Sequence, residues 1–274
     1  MSRFAIAAAL AMVAFASNSI LCRMALRGTA IDPASFTSVR LVTGALTLWL
    51  LVRVGRGGLA RVGDWGSALA LLVYAVTFSF SYVGLTAGTG ALLLFGAVQL
   101  IMIASGLIAG ERVTVQLGAG WALAAAGVAI LIFPGISAPP ARDAGLMICA
   151  GFAWGVYSLR GRRSKDALRD TAGNFVRAAP GALLVSALWW AHRAWDTEGI
   201  ILAALSGAIA SGLGYAAWYT ALPRLSAIAA GNAQLSVPVI AAFGGVLLFG
   251  EAITARLAIA SVLVLGGIAL ALRK

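Results

Sequence analysis

Ten apolar runs, each close to twenty residues long, follow one another between residues 3 and 272, parted by short stretches of Gly, Pro and charged residues. This pattern constrains the fold more than any other feature. The hydrocarbon core of a bilayer is crossed by about 20 helical residues. The runs place spans at 3–25, 33–54, 64–85, 88–109, 113–133, 143–160, 171–194, 199–221, 226–249 and 252–272. Lipid offers the backbone no hydrogen-bond partner, so runs of this kind are helices. Composition agrees, with 61% hydrophobic and 11% charged residues, against roughly 25% charged in a soluble domain. A water-soluble core could not absorb this much apolar surface, and the short joints leave no room for a separate soluble domain. The expected fold class is an all-α membrane protein with ten transmembrane helices.

The first run follows Arg3 and contains Ala14-Phe15-Ala16, the form of a secretion signal with its cleavage site. The apolar stretch continues to Leu21, however, and an internal repeat pairs it with a later helix. It is therefore read as a retained first span.

The net charge of +11 would suit a nucleic-acid binder, but its placement argues otherwise. The basic residues lie mostly between apolar runs, and no basic stripe with interleaved aromatics occurs, which excludes nucleic acid as a partner. With the N-terminus inside, 13 Lys and Arg fall on the inner side and 5 on the outer, with Arg40 and Arg177 within spans. That bias expects a multi-pass inner-membrane protein with both termini cytoplasmic. Cys22, Cys149 and His192 lack metal-ligand spacing, so no metal or other cofactor is expected, and both cysteines are read as small buried apolar side chains.

The chain repeats itself. VRLVTGAL at 39–46 recurs as VRAAPGAL at 176–183, and Phe15-Ala16 and Arg23 recur as Phe152-Ala153 and Arg160. Further on, GERVTVQL at 110–117 recurs as GEAITARL at 250–257, and Tyr82-Val83-Gly84-Leu85 resembles Tyr219-Thr220-Ala221-Leu222. The matches stay in order and divide the chain into halves at 1–137 and 138–274. Five helices per half is an odd number, so the second half enters the membrane from the opposite side. The halves are then inverted repeats, a construction typical of secondary transporters.

An Arg early in the second helix of each half, a Tyr-x-x-Leu after the third and a Gly-Glu before the fifth resemble the drug/metabolite transporter superfamily, with EamA-type halves. Within it the chain is most similar to YddG-type exporters of aromatic amino acids. The resemblance implies a transporter of amino acids and xenobiotics, and marks Glu111 and Glu251 as family-motif positions. From the residues alone, each Glu is expected to cap the start of the helix that follows it.

Arg40 and Arg177 lie about two turns into their helices. Their symmetric placement favours a structural role, snorkelling or bonding helix-end carbonyls, because a substrate touches one site and not two equivalents. Deep polar and aromatic residues are the candidate substrate-binding set: Asn18, Phe78, Tyr82, Gln99, Trp154, Tyr157, Tyr215, Asn232 and Gln234. Phe78 and Tyr82 share a helix face by their spacing, as do Trp154 and Tyr157. The competing reading is helix–helix packing by the amides and core packing by the rings. If Trp154 is a cavity wall, nothing packs behind its ring. Trp49, Trp65, Trp121, Trp189, Trp190 and Trp195, near span ends, are expected as interface anchors.

The function expected is a secondary transporter that exports small amphipathic solutes, aromatic and other amino acids foremost, by alternating access. The alternatives are a multidrug, metabolite or nucleotide-sugar-type carrier of the same superfamily, or a channel-like membrane protein. Its partners are then a small-molecule substrate and the lipid bilayer, and the sequence is compatible with a monomer. No catalytic residues are expected. Intramembrane chemistry needs a paired acid and base or a metal cluster, and no carboxylate lies at mid-span. The nucleotide-cradling loop of a motor ATPase is also missing.

Overall fold

The computed structural model describes residues 3–56, 62–108, 114–135, 138–162, 164–221, 233–234 and 236–271. The described residues form helices in every one of the ten apolar runs. These are α1 (Arg3–Gly28), α2 (Pro33–Arg56), α3 (Trp65–Ser81), α4 (Ala87–Ile108), α5 (Val115–Ile132), α6 (Ala141–Gly161), α7 (Ala167–Leu188), α8 (Thr197–Ala221), α9 (Ser236–Phe249) and α10 (Ala255–Ala271). Most of the start of the ninth expected span, including Asn232, lies outside the described residues, and so does Glu111.

Phe4–Gly28, Pro33–Gly55, Val115–Ile132 and Thr197–Ala221 are each long and apolar enough alone to cross a bilayer. α6 and α7 carry charges near their ends and are less apolar. Two expected spans are shortened. α3 stops at Ser81, and α7 stops at Leu188, with a 3₁₀ turn at Trp190–His192 beyond it.

The burial pattern is inside-out relative to a soluble bundle. Leu46, Leu50, Leu183, Leu184, Phe243, Leu247 and Val262 are exposed on the outer flanks. Small residues such as Ala11, Ala16, Ala75, Ala172 and Ala241 fill the centre. Close helix approach needs small residues where lipid supplies no hydrophobic drive. Cys22 follows its expectation and is buried, whereas Cys149 is exposed on the apolar flank.

α2 packs on α7, α5 on α10 and α4 on α9. α1 packs on α8 as α6 packs on α3, and α1 touches α9 as α6 touches α4. This pairing is unchanged when each helix is exchanged for its counterpart five places along. α1 is packed among α4, α8 and α9.

Local signals set the helix starts. Asp32 Oδ1 accepts from the backbone N–H of Ala34 and Ser35, each at 2.9 Å, ahead of Pro33 in the first turn of α2. Asp64 caps α3 through Ser67 N at 2.9 Å. α8 contains a feature without a sequence forecast, a π-helical segment at Ser206–Leu213. It lies where α8 presses on α2: a Cβ at Gly207 would collide with Thr43 and with the Arg40 carbonyl. Wide turns of this kind recur at functional sites.

Candidate functional site

The centre of the bundle is an aromatic cluster drawn from α1, α3, α6, α7 and α8. Trp154 stacks on Tyr215 at 5.2 Å between ring centroids and on Tyr157 at 5.5 Å. Tyr74 lies 4.9 Å from Trp154 and 5.3 Å from Phe78, which meets Tyr82 edge-on at 4.8 Å. Phe15 closes the group, 5.7 Å from Tyr215 and 6.1 Å from Trp154. The helical period makes this possible: Tyr74, Phe78 and Tyr82 recur every four residues and share one face.

Polar groups thread the cluster. Asn18 Nδ2 donates to the Tyr74 hydroxyl at 3.2 Å, and Asn18 Oδ1 accepts from the Ser206 hydroxyl at 2.5 Å. Arg40 Nη2 donates to the same Tyr74 oxygen at 3.0 Å, and Arg40 Nε to the Ser211 hydroxyl at 3.4 Å. The Tyr157 hydroxyl donates to Thr171 at 3.2 Å. The π segment of α8 supplies both Ser206 and Ser211, so its wide turns bring two hydroxyls to bear on the first half.

Between these groups lies a small enclosed cavity lined by Phe15, Asn18, Tyr74, Phe78, Trp154 and Tyr215, among others. It leaves about 20 Å³ for the centre of a water molecule, enough for about one water. Ligand sites for drug-sized molecules run to about 300–1,000 Å³, so the centre is closed in this structure. Two larger crevices, of about 480 and 450 Å³, lie on the outer flank of α2 and α7 and share Val42 and Leu183. They open where lipid would lie, away from the polar centre.

The sequence candidates separate into groups. Asn18, Phe78, Trp154 and Tyr215 come together on the cavity wall. Tyr82 and Tyr157 pack one ring further out, against Phe78 and Trp154. Gln99 and Gln234 are buried but do not line the cavity, and Gln99 Nε2 has no hydrogen-bond partner among the described residues. Asn232 lies outside the described residues. Trp154 is not a wall with empty space behind it: it is 6% exposed and touches four other rings.

The wall residues missed by sequence reading include Phe15, Tyr74 and Ser211. Tyr74 was within reach of the spacing argument, being one turn before Phe78. Ser211 was not, because its direction depends on the π segment.

Two charged residues depart from expectation. Glu251 does not cap its own following helix; Thr254 does that, accepting from Leu257 N at 3.1 Å. Glu251 Oε2 instead accepts from Ala87 N at 2.9 Å, capping α4, while Oε1 pairs with Arg23 Nε at 3.0 Å. Arg40 does not snorkel. It is 1% exposed, and its neighbours are Tyr74, Phe78 and Ser211. Arg177 does follow the expectation, donating to the carbonyls of Val62 and Gly173 beside the face of Trp65.

Three comparisons place the chain among known proteins. Residues 144–273 match the EamA-like transporter family. The uncharacterized protein PA1977 of Pseudomonas aeruginosa is 52% identical over 264 residues, covering 96% of this chain and 92% of that protein. A solved crystal structure aligns at a TM-score of 0.67 with 21% identity, covering 97% of this chain and 96% of the other, a likeness of fold. With its apolar helical architecture, the chain is a multi-pass membrane protein that belongs to one family with PA1977 and carries an EamA-like transporter domain at residues 144–273.

Proposed function

We propose that this protein is a secondary carrier that exports small amphipathic solutes, aromatic and other amino acids foremost, by alternating access. The observation that carries the reading is the enclosed centre, where stacked rings and hydrogen-bonding groups surround one small cavity. Flat apolar surface beside fixed polar groups is what a solute with an aromatic side chain and a polar end requires. The exchange-symmetric pairing of helices supports two inverted halves, 1–137 and 138–274, that rock against each other about this centre. The 13-to-5 bias of basic residues supports cytoplasmic termini in the inner membrane.

The closed centre favours a carrier over a channel. Packed rings with room for about one water leave no passage through it. Other carriers of the superfamily, for xenobiotics or nucleotide sugars, would share the fold and differ in the lining.

Uptake of labelled phenylalanine into proteoliposomes tests the reading. Flux is expected to saturate and to rise when unlabelled phenylalanine is loaded on the far side. Flux that neither saturates nor responds to counter-substrate would overturn it. Orientation is tested by fusing reporters after residue 274: a cytoplasm-active reporter is expected to work there, and activity of a periplasm-only reporter would reverse the topology.

A further inference from the structure

Arg40 poses a problem that the fold alone does not solve. It lies seven residues beyond Pro33, roughly 10 Å down α2, and is 1% exposed. A guanidinium stays charged at any physiological pH. Yet among the described residues no carboxylate lies within ion-pair distance of it. Nε and Nη2 find hydroxyls, and the faces of Tyr74 and Phe78 lie 5.2 and 4.8 Å from the guanidinium carbon. Nη1 has no hydrogen-bond partner among the described residues. Burying a charge without a counter-charge is costly, and the two ring faces offset only part of that cost.

The surroundings are short of acceptors as well. The Tyr74 oxygen already accepts from Asn18 and from Arg40. A phenol has two lone pairs and one proton, so its own O–H remains to be donated elsewhere. Both side chains that Arg40 bonds, Tyr74 and Ser211, line the central cavity. Among the described residues, the centre is thus a ring-lined cavity backed by an unpartnered cationic N–H and a phenol O–H, with no anion to receive them.

The internal repeat removes the structural explanation. Arg177, the counterpart of Arg40, bonds two backbone carbonyls at the bundle edge and is only partly buried. The repeated sequence therefore does not require a buried, unsatisfied Arg at this position.

We propose that Arg40, with the Tyr74 hydroxyl, receives the carboxylate of the transported solute, so that the substrates are organic anions or zwitterions carrying a flat apolar group. This rests on the carrier reading. In the closed state the cavity admits about one water. When the rings part to admit a solute, its carboxylate takes the unpaired N–H and the phenol O–H, while its flat group lies among Phe15, Trp154 and Tyr215. A charge-assisted pair of this kind supplies both orientation and selectivity against the neutral isostere.

The test uses two probes of nearly equal shape, 3-phenylpropionate and 3-phenylpropanamide. Their apparent affinities for the purified full chain are read from ligand-dependent shifts in melting temperature. The parent protein is expected to bind the carboxylate about tenfold more tightly than the amide. Arg40→Gln should bring the ratio close to one. Arg40→Lys should leave a reduced preference, because it keeps the charge and loses the fork. Should Arg40→Gln fail to fold, the parent ratio and Arg40→Lys decide alone. If the parent transports phenylalanine but does not distinguish the probes, or if Arg40→Gln keeps the full preference, Arg40 is not the anion site and the carrier reading stands. If the parent neither binds the probes nor transports phenylalanine, the carrier reading itself falls.

Discussion

Arg23 and Arg160 hold matching positions in the two halves, yet they end up in opposite surroundings. Arg23 pairs with Glu251 at 3.0 Å, with the two side chains 8% and 12% exposed. It also donates to the carbonyls of Tyr82 at 3.0 Å and Val83 at 3.3 Å. Since Glu251 caps α4 through Ala87, this one pair ties together the ends of α1, α3 and α4 and the turn between α9 and α10. Directly beside it, the Tyr82 ring is fully buried. Arg160 pairs with Asp64 at 2.6 Å, but those side chains are 48% and 50% exposed, and the pair joins only the end of α6 to the start of α3. A chain symmetric in its helix pairing is thus asymmetric in its end contacts. One end is sealed by a buried ion pair and the other is held at the surface.

The largest expected effect comes from removing the buried acid. Glu251→Ala leaves Arg23 charged and unpaired and uncaps α4. Breaking a buried pair in this way costs about 3 kcal/mol, visible as a lower melting temperature in lipid nanodiscs. If Glu251→Ala melts with the parent, the sealed end is no tighter than the other and the comparison collapses.

Asp64→Ala should cost less, about 1 kcal/mol for the lost N-cap, with little added for an exposed ion pair. Arg160→Gln separates these parts: it keeps the cap and is expected to melt within about 0.5 kcal/mol of the parent. A loss equal to that of Asp64→Ala would show that the pair, not the cap, holds this end.

The smallest effect is a titration. Partial burial pushes the Asp64 carboxyl up, but hydrogen bonds from the Ser67 hydroxyl and backbone N–H, together with the Arg160 guanidinium, outweigh it and hold the group at about 2. A depressed carboxylate contributes stability that is complete above its ordinary value of 3.8 and is lost as pH falls through about 2. The melting difference between the parent and Asp64→Asn should stay constant from pH 8 to pH 5 and narrow between pH 4 and pH 2. A difference that already shrinks near neutral pH would assign the titration to another group.

Much of this architecture was legible in the chain, because each apolar run must satisfy its own backbone in lipid whatever its neighbours do. Run length and joint chemistry therefore located a helix in every span, and Asp32-Pro33 and Asp64 marked two helix starts. The ordered repeat anticipated which helices have counterparts. Part of the centre was legible too: Asn18, Phe78, Trp154 and Tyr215 are polar or aromatic at mid-span, where such residues need a reason.

What the repeat could not give is where it breaks. Phe15 and Phe152 match in sequence, yet Phe15 joins the central rings while Phe152 is 42% exposed on the flank. Arg40 and Arg177 look equivalent, yet among the described residues one is buried without a counter-charge and the other bonds the backbone carbonyls of Val62 and Gly173. Glu251 looks like the cap of its own helix and instead caps α4, 164 residues away in the chain. Each of these outcomes depends on which side chain from a distant segment arrives first. The π segment of α8 is similar, since its cause lies in the approach of α2 across Gly207. By itself the sequence determined that each of the ten apolar runs forms a helix, because that follows from local hydrophobicity and backbone hydrogen bonding. Only the tertiary structure decided which member of each repeated pair is buried, because burial and charge pairing are properties of contacts between segments and not of the segments themselves.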